Sequence, residues 1–92
     1  MTIKSRRSRA VLNKAVLEVV ENQIKGNDPP ETRETYERLR SEGHSDAEAR
    51  RLIGVVVAAE IFDILKESRP FDEESFVAAL RRLPKLPLED PL

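Results

Sequence analysis

Between Leu52 and Leu65, 11 of 14 residues are apolar, and no alternation separates one face from another. A stretch this long reads as a helix rather than a strand, and a helix that is apolar on nearly all sides must be enclosed by neighbours. It is too short to cross a bilayer, which takes ~20 mostly apolar residues, and Glu60 and Asp63 interrupt it. Gly54 and Ala58 lie four apart, so a partner helix can approach closely there. Val55, Val56 and Val57 are β-branched and poor helix formers, so packing rather than propensity must hold the segment. The rest of the chain therefore has to supply its cover.

Start and stop signals divide that chain into four helices. The first is expected from about Ser8 to Lys25, with a stripe of Leu12, Val16, Val19, Val20 and Ile24, ending at Gly26. The second opens at Asp28-Pro29-Pro30-Glu31, with Asp28 as cap and Glu31 as its capping-box partner, and stops at Gly43. Tyr36 and Leu39 are its strongly apolar residues. The third begins with Ser45 as cap and Glu48 answering, and ends before Pro70, which disfavours helix at Arg69. The fourth is capped by Asp72, with Phe71 and Phe76 as a hydrophobic staple, and Pro84 ends it. The expected fold is thus all-α: a small four-helix, bundle-like domain with a long central third helix. It comprises a basic N-terminal arm (1–8), one domain (9–84) and an extended Pro-rich C-terminal tail (85–92).

Composition excludes several chemistries. The 92 residues include no Cys and one His, which rules out disulfides, thiol nucleophiles, thiolate zinc sites and multi-His metal sites. The segment from Val11 to Val20 contains Asn13, Lys14 and Glu18, so it is no signal-peptide core, and a cytoplasmic location with no membrane contact is expected. Charge is polarised: residues 1–25 carry a net +4 and residues 26–92 a net −5. A basic arm on an acidic body suits either a polyanion or a neighbouring copy.

Three constellations invite a chemical reading. Leu39 to Val55 resembles the first half of a helix-turn-helix, but Val56 to Asp63 is apolar and acidic where base-reading side chains belong. Glu31 and Glu34, with Glu60 and Asp63, are pairs at (i, i+3) spacing, which share a helix face and together suit a Mg²⁺ ion. That pattern resembles the Glu-x-x-Glu … Glu-x-x-Asp motif of the all-α, MazG-like nucleotide pyrophosphatases, and the resemblance implies those four residues as metal ligands. The competing reading is a solvated face plus one or two buried acids paired with a cation, Lys14 or one from a second copy. Lys4, Arg6, Arg7 and Arg9 are the candidate phosphate contacts, without an aromatic to stack on bases, and the acidic body disfavours a duplex. His44 and Ser45 are explained by a turn and a cap.

Four helices in so short a chain leave more apolar surface than one copy is expected to hide, and a homodimer is the simplest remedy. Its candidate interface residues are Val16, Val20, Val56, Val57, Ile61 and Ile64. From Asn27 to Pro84 the chain also resembles a family of short bacterial all-helical proteins of uncharacterised function, through Pro29 to Thr32, Glu42 to Arg50, Ala59 to Phe62 and Arg69 to Glu74. No activity or ligand carries over from that resemblance, and no cofactor is expected. The expected role is a non-catalytic homodimeric interaction or accessory domain with an unidentified protein partner. The alternatives are a nucleic-acid-associated protein and the Mg²⁺-dependent hydrolase.

Overall fold

The computed structural model describes residues 5–87, with side chains from Ala10 onward. It is all-helical over these residues: α1 spans Ser5–Gly26, α2 Pro30–Ser41, α3 Asp46–Glu67 and α4 Glu73–Arg82. No strand occurs among the described residues. α1 reaches three residues further back than its apolar stripe suggests, so the second half of the basic arm is helix. Residues 1–4 of the arm and 88–92 of the tail lie outside the described residues. The part of the tail that is described leaves α4 through Pro84, and Leu86 packs half-buried against the core.

The turns close by helix-terminal chemistry. At the end of α2, Gly43 takes φ 102°, a left-handed value that suits glycine. His44 N–H then donates to the Leu39 carbonyl (3.0 Å) and Gly43 N–H to that of Arg40 (3.1 Å), which is the Schellman pattern. α1 ends the same way one residue later than expected: Asn27, not Gly26, takes the left-handed conformation, and Asp28 N–H reaches the Gln23 carbonyl at 3.2 Å. Ser45 caps α3 by accepting from Glu48 N–H, and Asp72 caps α4 by accepting from Ser75 N–H. The Phe71 and Phe76 rings meet edge-on at 5.5 Å. α2 departs from expectation. Pro29 is its N-cap, Pro30 starts the helix, and no side chain caps it, so neither Asp28 nor Glu31 has the role assigned above.

α2 and α3 each touch both α1 and α4, which do not meet among the described residues. α3 is therefore central, and it is buried continuously from Leu52 to Ala58. Val16, Val20, Leu39, Phe76, Leu80 and Leu83 close over it. This corrects the expected interface. Val16 (2% exposed), Val20 (0%), Val56 (2%) and Val57 (4%) belong to the subunit's own core. Ile61 packs half-buried against that core, and Ile64 is half-buried.

The poorly apolar α2 holds its place with polar side chains. Arg33 donates to the carbonyls of Ile24 (3.1 Å) and Lys25 (3.3 Å) at the end of α1. Arg38 donates to those of Leu83 (2.9 Å) and Leu80 (3.2 Å) at the end of α4. Both arginines donate to carbonyls at the negative end of a helix dipole, of which those of Ile24 and Leu80 also accept from the turn that follows. Buried Thr32 donates to Gln23 Oε1 at 2.9 Å.

Candidate functional site

α1 and α3 run antiparallel. Glu21 pairs with Arg50, while Val16 and Leu17 flank Gly54, so the register descends on α1 as it rises on α3. A Cβ at Gly54 would stand 3.3 Å from Val16 Cγ1 and 3.8 Å from Leu17 Cδ2. The missing side chain is what lets the two helices come this close. Beside the contact lies a groove of about 790 Å³, with Asn13, Lys14 and Leu17 on one wall and Ala47, Arg50 and Gly54 on the other. Leu17 is 45% exposed.

Most charges at the groove are tied to one another. Arg50 donates to Glu21 and, at 2.9 Å, to Asp46, and its guanidinium lies 5.2 Å from the centre of the Tyr36 ring. Tyr36 donates its hydroxyl to the same Asp46 carboxylate, so α1, α2 and α3 meet in one network. The Tyr36 hydroxyl and the Arg50 guanidinium hold the Asp46 carboxyl below its ordinary range, and the hydrogen bond from Arg50 does the same for Glu21. Arg51 lowers Glu48 in the same way, at 3.0 Å. Lys14 and Glu18, both exposed on the rim, make no hydrogen bond or ion pair among the described residues.

The carboxylates of the proposed metal pairs are not brought together. No group of three or more His, Cys, Asp or Glu side chains among the described residues has metal-binding geometry. Glu60 (7% exposed) is held by Arg69 at 3.1 Å and by Asp72 N–H at 3.0 Å, bracing the α3–α4 link. Asp63 stands 3.9 Å from the same arginine. The partner of Glu60 is thus Arg69, nine positions along in the same subunit, not Lys14 or a second copy. Glu31 keeps Oε1 buried without a hydrogen-bond partner among the described residues, and Glu34 is exposed.

The helix-turn-helix likeness ends where its chemistry does, because α3 continues unbroken through Gly54. His44 is half-buried in the α2–α3 turn. The side chains of Arg6, Arg7 and Arg9 are not described, but their backbone forms the first turns of α1, which hold no acidic residue. Sequence reasoning did not find the Tyr36–Asp46–Arg50–Glu21 network. Asp46 and Arg50 were legible as an (i, i+4) pair; Glu21 was not, because it comes from another helix. Among the described residues no helix is long and apolar enough to cross a membrane. Compared with protein-family models, with curated proteins and with solved structures, the chain matches none.

Proposed function

We propose that this chain is a non-catalytic interaction module that works as a homodimer and serves a further protein partner. The observation that carries the reading is what stays exposed once the core is complete. Leu17 is 45% exposed in the α1–α3 groove, and Phe62 (45%) and Leu65 (72%) stand out from the last turns of α3. Phe62 and Leu65, three apart on α3, share one side of the helix, and an exposed apolar pair of this kind suits a contact surface. The charged groups at the groove neutralise one another rather than surround a reactive atom, which suits adhesion better than chemistry. Sedimentation equilibrium on the full chain tests the reading. A dimer is expected at micromolar concentration, and a monomer persisting at high micromolar concentration refutes it.

A second reading rests on the start of α1, where Arg6, Arg7 and Arg9 are carried on a helix whose first turn holds no acid. Phosphates would favour that end through both charge and helix dipole. Duplex binding that weakens steeply with salt and disappears when the three arginines become Gln supports it; binding unaffected by these changes rejects it.

A further inference from the structure

We infer that the α1–α3 groove is the dimer interface itself, and that its occupant is the same groove of a second copy, crossed antiparallel. The inference rests on the homodimer reading above and deepens it. Three observations converge on this face. The groove has an apolar floor where Gly54 removes a side chain and Leu17 stands half-exposed. Phe62 and Leu65 follow Gly54 and Ala58 at steps of four and three along α3, so they continue the same side of the helix toward its end. The rim carries two opposite charges, Lys14 and Glu18, that have no partner among the described residues, in a setting where Arg50, Glu21 and Asp46 are mutually paired.

Those two charges select the occupant. They lie four residues apart on one side of α1, with Leu17 beside them. That side is about 160° round the helix from Val16, whose buried side chain faces Gly54. A twofold axis crossing it midway between Lys14 and Glu18 sets two α1 helices antiparallel. It then places Lys14 of each copy against Glu18 of the other, two identical pairs from one operation. That self-complementarity is the condition for an isologous contact. The same axis turns the basic first half of one α1, with four Arg or Lys and no acid from Ser5 to Lys14, toward the second half of the other, which carries Glu18 and Glu21. Leu17 from each side fills the floor, and the two α1–α3 pairs form a four-helix core across the dimer.

Sedimentation equilibrium on the full chain and its variants, with circular dichroism as the folding control, tests this. Leu17→Glu, at an exposed position, is expected to weaken association by more than about tenfold while leaving helicity unchanged. Lys14→Glu and Glu18→Lys each set like charges together twice per dimer and are expected to weaken it; the double exchange is expected to restore it to within about threefold. Val19→Glu, 36% exposed and two residues on from Leu17, hence about 160° round α1 from it, is expected to leave the dimer intact. If the wild type dimerises but Leu17→Glu does not loosen it, or the exchange does not rescue, this surface is wrong and the homodimer reading stands. A dimer broken by Val19→Glu and not by Leu17→Glu has the same meaning. If the wild type is monomeric throughout, both proposals fall.

Discussion

Two residues in the apolar run show how differently sequence position and environment bear on energy. Glu60 is 7% exposed and accepts from the Arg69 guanidinium and the Asp72 backbone. Removing its carboxylate leaves the Asp72 N–H without its acceptor, while Arg69 keeps Glu67 and the Pro70 carbonyl. Glu60→Ala is therefore expected to cost about 1–3 kcal/mol in urea denaturation. Asp63, with a side chain 56% exposed and 3.9 Å from the same arginine, is expected to tolerate Asn within about 0.5 kcal/mol. A comparable loss at both positions would contradict this account. Both acids were visible as the only charges between Leu52 and Leu65, and burial of one was legible. The cation was not, because Arg69 returns to α3 only through the turn that Ser68 makes at φ 50°. Gly54 gives a second contrast. Ala there adds about 1 kcal/mol of helix propensity against a 3.3 Å contact with Val16, so the two offset. Leu adds bulk the contact has no room for, and is expected to lose about 1–3 kcal/mol.

At the scale of elements, the ends of the helices were the most legible part of the chain. Ser45 and Asp72 cap as read, and Gly43 closes α2, because a cap is decided within a few residues. What holds α2 was illegible for the opposite reason: Arg33 and Arg38 reach helix ends that are distant in sequence for Arg38 and invisible to periodicity for both. Arg38→Met keeps the aliphatic stem and removes the donors to the Leu80 and Leu83 carbonyls. It is expected to cost about 1–3 kcal/mol, with faster amide exchange in α4 than in α1. Uniform acceleration across all helices would show that the capping is not local. The network joining α1, α2 and α3 predicts a pH dependence. Glu21, Asp46 and Glu48 titrate below the ordinary carboxylate range when folded. Their contribution is present above the unfolded values, about pH 4, and is lost as pH falls through the lowered ones. The melting temperature should be level from pH 7 to about 5 and fall below 4, and Asp46→Asn should reduce that fall. An unchanged fall in the variant would remove Asp46 from the explanation.

For the whole molecule, the apolar excess of α3 was legible and its destination was misjudged. A fully apolar helix says that cover is needed but not how many neighbours provide it. Here three helices of the same chain surround Leu52 to Ala58, so Val16, Val20, Val56 and Val57 face inward. The surplus that remains is Val11, Leu17 and Val19 on α1, Phe62 and Leu65 at the end of α3, and Phe71 after it, and of these Leu17 lines the α1–α3 groove. If Leu17, Phe62 and Leu65 are hidden in a dimer, folding and association are one equilibrium, and stability depends on protein concentration. A tenfold rise in concentration adds about 1.4 kcal/mol per dimer. Unfolding two 92-residue chains releases about 2.1 cal/mol/K per residue. The melting temperature should then rise by about 3–4 °C for each tenfold increase in concentration. Leu17→Glu should abolish the slope and lower the melting temperature to a concentration-independent value, because the monomer keeps its own core. A wild-type slope of zero would mean that the seam contributes nothing to the stability of the folded state, and the exposed residues would have to be explained without a second copy.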